Sequence, residues 1–226
     1  MSQAPALGHA ARDEDGKIFL MSTPPPFVVL VPIKPPAVGK SRLATMPDQQ
    51  RISLATAFAR DTIAASVAAS GVAQVMVVTD DHRFAAVAHA DGCLVLPDGV
   101  HGDLNATLVQ AAHESKRRWP AYWVAALCGD LPALKPDDLT AALAQVPAHG
   151  AAFVADDLGT GTTMYAARAL SDFTPEFGFD SARRHTDSGA LPVPGALASL
   201  RQDVDEAGDL GRAMVLGVGA HTAAAI

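Results

Sequence analysis

Runs of consecutive apolar residues mark the first half of the chain: Phe27–Val31, Val75–Val78, Cys93–Leu96 and Tyr122–Cys128. Between them the apolar positions follow another rhythm. Ile52, Ala55, Ala59, Ile63 and Val67 recur at spacings of three and four, the period of a helix with one apolar face. This predicts helices over 47–70, 82–90, 105–118 and 136–145. Gly71 stops the first, and Pro136 suits the opening turn of the last. Runs that are apolar at every position, rather than at alternate ones, describe strands covered on both faces. Alternating with helices, they predict an α/β fold: a single domain with a mostly parallel, Rossmann-like sheet and helices on both faces. Ligands of such sheets sit beyond the carboxyl ends of the strands, where Lys34, Asp80 and Asp130 stand.

After residue 145 the pattern changes. Phe153–Ala155 reads as a strand, Gly159-Thr160-Gly161-Thr162-Thr163 as a tight loop, and Met164–Ala166 as the strand it leads into. Phe177-Gly178-Phe179-Asp180-Ser181 opens a short helix running through His185; Leu200–Val204 reads as a last strand and Asp209–Leu216 as a last helix. Residues 1–26 have no periodicity and end in Pro24-Pro25-Pro26. They read as a poorly ordered tail before a folded domain at 27–226.

Length and charge narrow the function classes. A chain of 226 residues suits one domain. Seventeen basic against 24 acidic residues give a net charge of −7, which argues against nucleic acid as a partner but leaves room for a small phosphorylated ligand. No apolar run approaches the ~20 residues that cross a bilayer, and Asp13, Glu14 and Asp15 stand where a signal peptide would be basic. The expectation is a cytoplasmic protein with no membrane association. Cys93 and Cys128 are too few for a disulfide scaffold or a thiolate metal site and read as buried thiols.

Several constellations could carry chemistry. Gly39-Lys40-Ser41 lies between a strand and a helix, as in a phosphate-binding P-loop, but that pattern needs a glycine where Lys34 stands, and Pro35 and Pro36 have no N–H to offer. What remains is a loop in which Lys34, Lys40 and Arg42 either surround a polyphosphate or are simply solvated. Asp130, directly after a strand, reads as a magnesium ligand or as the cap of the next turn. Asp203 and Asp205, two apart in a strand, would share a side; Asp130 with Asp205 makes a split metal site unless Asp205 caps the last helix. The Gly-Thr-rich loop, and Gly178 with Ser181, read as anion-binding backbone or as an ordinary turn and helix cap. His185 follows Ser181 by four on one helix face. Asn105 either caps its helix or hydrogen-bonds a base. Trp119, Tyr122 and Trp123 suit core packing. No GxGxxG, GxSxG or HExxH pattern is present, which leaves a nicotinamide oxidoreductase unsupported.

Taken in order, these stretches resemble the guanylyltransferases of deazaflavin coenzyme (F-420) biosynthesis. This is the 2-phospho-L-lactate guanylyltransferase family with its phosphoenolpyruvate-using bacterial members, of the molybdopterin-guanylyltransferase-like, nucleotide-diphospho-sugar-transferase-like fold. The resemblance rests on Val31-Pro32-Ile33-Lys34 with Gly39-Lys40-Ser41-Arg42-Leu43, Asp103-Leu104-Asn105, and Gly129-Asp130-Leu131-Pro132-Ala133-Leu134. It continues with Phe153–Thr162, Phe177-Gly178-Phe179-Asp180-Ser181 with His185, and Asp203-Val204-Asp205 with Asp209-Leu210. It implies that Lys34, Gly39, Lys40 and Arg42 hold the nucleotide phosphates with Asn105 nearby, and that Asp130 and Asp205 bind Mg2+. It further implies that Thr163, Gly178 and Ser181 hold phosphoenolpyruvate, and that Lys34, Lys40, Arg42 and Asp130 are the catalytic groups. Relatives continue the last acidic motif with Thr-Pro; here Glu206-Ala207 stand instead, and the Pro35-Pro36 pair is also a departure.

The implied reaction is transfer of GMP from GTP to phosphoenolpyruvate. The implied partner is the deazaflavin transferase that takes the product, and relatives often pair as homodimers. The same chemistry on 2-phospho-L-lactate or 3-phospho-D-glycerate, a sugar-phosphate or molybdopterin nucleotidyltransferase, and a non-catalytic GTP-binding regulator are the alternatives.

Overall fold

A computed structural model describes residues 25–34, 47–100 and 102–226, together with the backbone of 10–12 and 18–20. Those last two segments are β1 (Ala10–Arg12) and β2 (Ile18–Leu20), a small antiparallel pair. The rest of the expected tail, and the loop carrying Pro35, Pro36, Gly39, Lys40 and Arg42, lie outside the described residues.

The main sheet has seven strands: β3 (Phe27–Pro32), β4 (Val72–Val78), β5 (Leu94–Leu96), β6 (Trp123–Leu127), β7 (Ala151–Ala155), β8 (Thr162–Ala167) and β9 (Leu191–Pro192). Their order is β5-β4-β3-β6-β8-β7-β9, and all but β8 run the same way. The reversed strand follows from the Gly-Thr-rich segment: a loop of a few residues can join only antiparallel neighbours. Asp156 N–H donates to Gly161 O at 3.1 Å, Gly159 N–H to Asp156 O at 3.1 Å, and Gly159 sits at φ 74°, where a side chain would be strained.

The helices are α1 (Asp48–Ala68), α2 (His82–Ala90), α3 (Leu104–Arg118), α4 (Pro136–Ala144), α5 (Ser181–Asp187), α6 (Ala198–Arg201), α7 (Ala207–Leu216) and α8 (Ala220–Ala225). They cover both faces of the sheet. Val29 and Val31 pack with Ile63, Phe84 and Leu139 on one side; Val28 and Leu30 pack with Leu108 and Ala112 on the other. This two-sided burial is why β3 is apolar at every position. Trp123 packs edge-on against Phe27 with ring centroids 5.2 Å apart, and Trp119 stacks on Tyr122, so these aromatics serve packing at the amino end of β6. No helix among the described residues is long and apolar enough to cross a membrane.

Two expectations are corrected. The stripe assigned to α1 is too narrow and too long: Ala59 and Ile63 are in the core, but Val67 is exposed, and Leu54 and Phe58 are buried as well, in a third cluster with Val204, Leu210 and Ala213. Leu200–Val204 is not a strand. The chain makes the short α6 and then runs irregularly, held by the Arg201 guanidinium on the carbonyls of Ala155 and Val193, both at 2.9 Å. Two backbone bonds, Val204 N–H to Asp130 O at 3.0 Å and Asp157 N–H to Arg201 O at 2.9 Å, stand in place of a ladder.

Candidate active site

The carboxyl ends of β3 and β6 open into two adjoining cavities of about 290 and 370 Å³, which share Pro32, Ile33, Lys34 and Leu104. The first is also lined by Cys128, Gly129, Asp130 and Asp205, and the second by Asp80, Asp98 and Asp103. Lys34 is exposed at the end of β3 and reaches both.

Asp130 is held by its neighbours' backbone. The turn after β6 passes so close to β3 that a Cβ on Gly129 would lie 2.2 Å from Ile33 Cδ1. The next N–H, of Leu131, donates to the buried Thr62 hydroxyl of α1 at 3.0 Å. The Val204 N–H on Asp130 O then fastens the irregular 202–205 segment to this turn. One carboxylate oxygen from each of Asp130, Asp203 and Asp205 falls within 4.8 Å of the others. Asp205 does not cap the last helix: the N-cap of α7 is Glu206, and the Asp209 carboxylate takes the N–H groups of Asp205 (2.9 Å) and Glu206 (2.7 Å). The Glu206-Ala207 departure therefore leaves a capped helix start. Three carboxylates at this spacing repel one another unless cations accompany them. All-oxygen donors are the set that hard divalent cations prefer, so the residues fit Mg2+.

A second cluster lies beside the first. Cys128, which lines the cavity, donates its backbone N–H to Thr163 O at 2.8 Å and its thiol to Thr162 O at 3.3 Å. Thr163 itself is fully buried, with its hydroxyl 3.4 Å from Val154 O. It is Thr162 that meets Ser181, whose hydroxyl donates to Thr162 Oγ1 at 3.1 Å. Gly178 sits at φ 127°, and a Cβ there would come within 3.1 Å of Arg184 Nη2. Thr162 stood in the sequence only as one member of the Gly-Thr-rich loop, and the supporting Thr62, a hydroxyl on the buried face of α1, was passed over.

His185 is wholly buried. Its Nε2 accepts the Glu176 N–H at 2.8 Å, so the proton resides on Nδ1, which donates to Thr162 Oγ1 at 2.9 Å. Burial, reinforced by Arg184, lowers its pKa from 6.5 to about 4. The unfolded chain takes up this proton near pH 6.5 and the folded one only near 4. The stability contributed is therefore complete above about pH 6.5 and falls by up to about 3 kcal/mol as the pH drops towards 4. His185→Gln is expected to flatten the fall in thermal midpoint between these pH values; an equally steep fall in the variant would contradict this.

Asn105 does not cap α3. The cap of α3 is Asp103, which takes the N–H groups of Asn105 and Ala106, both at 3.0 Å. The Asn105 carboxamide pairs with both backbone groups of Phe177, accepting its N–H at 2.7 Å and donating to its carbonyl at 3.1 Å.

The site is thus a cleft beyond the carboxyl ends of a mostly parallel sheet with one reversed strand, with carboxylates at its rim. Residues 39–190 match the MobA-like NTP transferase domain. The chain is 44% identical over 198 residues to the phosphoenolpyruvate guanylyltransferase of Thermomonospora curvata, covering 87% of this chain and 86% of the relative. It is 46% identical over 205 residues to the protein of the same name from Streptomyces scabiei, covering 88% and 95%. A Desulfovibrio desulfuricans structure described as a nucleotide-diphospho-sugar transferase shares the fold, with a TM-score of 0.61 at 16% identity over 81% of this chain and 84% of that one. The chain belongs to the MobA-like nucleotidyltransferases and, within them, to the phosphoenolpyruvate guanylyltransferase family.

Proposed function

We propose that this protein transfers GMP from GTP to phosphoenolpyruvate, releasing diphosphate and forming enolpyruvyl-diphospho-5'-guanosine. The observation that carries the reading is the convergence of Asp130 and Asp205, with Asp203 beside them, on a cleft also lined by Lys34, in a chain over 40% identical to guanylyltransferases along most of its length.

A phosphate oxygen of phosphoenolpyruvate forms the new bond to the α-phosphorus of GTP, and the bond from that phosphorus to the bridging oxygen breaks as diphosphate leaves. A phosphate ester is already an anion above a second pKa of about 6, so the site needs no general base. His185 is buried with both ring nitrogens engaged, by Glu176 N–H and by Thr162, which fits that economy. What remains is positioning and charge neutralisation. Lys34, with Lys40 and Arg42, offsets charge on the triphosphate, and Gly39 allows close backbone approach. Asp130 and Asp205, with Asp203 beside them, would hold Mg2+, which when bound neutralises the reacting phosphates. Ser181, Gly178 and the backbone at Thr163 receive the acceptor's carboxylate. The product is an activated diphosphate suited to a deazaflavin transferase.

The test is diphosphate release with GTP and Mg2+ in the presence of phosphoenolpyruvate, 2-phospho-L-lactate or 3-phospho-D-glycerate. Phosphoenolpyruvate is expected to give the highest kcat/KM. Release with 2-phospho-L-lactate alone would move the assignment to that branch, and GTP binding without release would leave a regulator.

A further inference from the structure

We infer that Asn105 and His185 form a clamp that presets the acceptor loop at 176–178, so that Asn105 governs capture of the phosphocarboxylate and not of the nucleotide. The inference rests on the proposed function, because it takes Gly178 and Ser181 as the acceptor's seat.

Residues 173–177 belong to no helix or strand. A backbone without a ladder must find partners for its polar groups elsewhere, and side chains from two helices provide them. Glu176 N–H goes to His185 Nε2, Phe177 N–H to Asn105 Oδ1, and Phe177 C=O receives both Asn105 Nδ2 and Arg184 Nη2 at 3.1 Å. Three of the four polar backbone groups of Glu176 and Phe177, immediately before Gly178, are thus fixed.

The two clamp residues come from different helices. Asn105 comes from the first turn of α3, whose preceding Leu104 lines both cavities. His185 comes from α5, its ring stacked on Tyr165 at 4.6 Å and bounded by Phe153 and Phe177. Through Nδ1 it also holds Thr162, the residue on which Ser181 rests its hydroxyl. One imidazole therefore orders both halves of the acceptor seat, the loop before Gly178 and the Thr162–Ser181 pair. A carboxamide with each end already engaged on Phe177 is poorly placed to read a base edge as well. Neither residue need touch substrate; both are positioning residues.

The experiment measures KM for phosphoenolpyruvate, KM for GTP, and preference for GTP over ATP in Asn105→Ala and His185→Gln. GTP binding is titrated separately as a check on the fold. Losing two neutral hydrogen bonds predicts that Asn105→Ala raises KM for phosphoenolpyruvate about tenfold or more. KM for GTP and the base preference are expected to stay within about twofold of the parent. His185→Gln places an amide oxygen near the Nε2 position and is expected to recover part of the acceptor affinity that His185→Ala loses. A rise in KM for GTP or a relaxed base preference in Asn105→Ala, with KM for phosphoenolpyruvate unchanged, would assign Asn105 to the nucleotide and overturn the clamp. A drop in kcat with both KM values unchanged would also overturn it. A parent that releases no diphosphate with phosphoenolpyruvate defeats the function itself; an active parent with variants insensitive in acceptor KM defeats only the clamp.

Discussion

Asp130→Asn is expected to lower turnover by about a thousandfold while leaving the fold intact, because it removes one negative donor from the site where phosphate charge must be balanced. The change is nearly isosteric. The bonds that fix this turn, Leu131 N–H to Thr62 and Val204 N–H to the Asp130 carbonyl, use backbone groups that the substitution keeps. What changes is one of three carboxylates gathered within 4.8 Å. An amide oxygen remains in place but carries no full charge, so divalent-cation affinity should fall together with kcat. Stopped turnover with a parent-like thermal midpoint and retained GTP binding is the expected pattern. Turnover near that of the parent would mean that Asp130 is not where the reacting charge is handled.

Asp61→Ala is expected to cost about 3 kcal/mol, which for a chain of this size lowers the thermal midpoint by roughly 6–12 °C. Asp61 lies in the middle of α1 and is 6% exposed, yet its carboxylate faces the far end of the chain. It accepts the N–H groups of His221 (3.0 Å) and Thr222 (2.7 Å), capping α8 from another helix. The alanine variant would leave these donors without their acceptor, and Asp61→Asn, which keeps an acceptor oxygen, should lose less. The fit leaves little slack: a Cβ on Gly219 would fall 2.4 Å from the Asp61 carboxylate. Gly219 N–H in turn donates to Pro132 O at 2.8 Å, so the terminal helix also braces the segment after Asp130. A midpoint within about a degree of the parent would show that α8 is not held this way.

The parts of this fold that could be read from the chain are those whose cause is local. β3, β6 and the Val75–Val78 part of β4 announce themselves because both faces of the sheet are covered there, so every position is apolar. β9 does not: it is two exposed residues at the sheet edge, Leu191 and Pro192, with no apolar run to mark it. α8 was equally silent, since its cap arrives from Asp61, distant in sequence.

The segment at 200–204 is more instructive. Leu200, Gln202 and Val204 are buried and Arg201 and Asp203 are not, so the alternation that suggests a strand is real. What is missing is a neighbouring strand to pair with. Asp203 and Asp205 nevertheless meet Asp130, for a reason that period-two spacing anticipates and secondary structure does not supply.

The Gly-Thr loop, Ser181 and His185 were legible as a group, but that Thr162 and not Thr163 meets Ser181 was not. Which of two adjacent threonines faces α5 depends on the register of β8 against β6 and β7, with a shift between Val154 and Ala155, and register is a tertiary property. The engagement of Asn105 was hidden for a similar reason. Its partner, Phe177, lies in a loop that only the folded chain brings to the start of α3.

The most direct test of the account follows the phosphorus atoms. The enzyme is supplied with Mg2+, phosphoenolpyruvate and GTP labelled either at the α-phosphate or at the γ-phosphate. The account predicts that the α label moves into a product that forms only when phosphoenolpyruvate is present, while the γ label appears as diphosphate in equal amount. Recovery of the α label solely as GMP or GDP, at a rate indifferent to phosphoenolpyruvate, would contradict it.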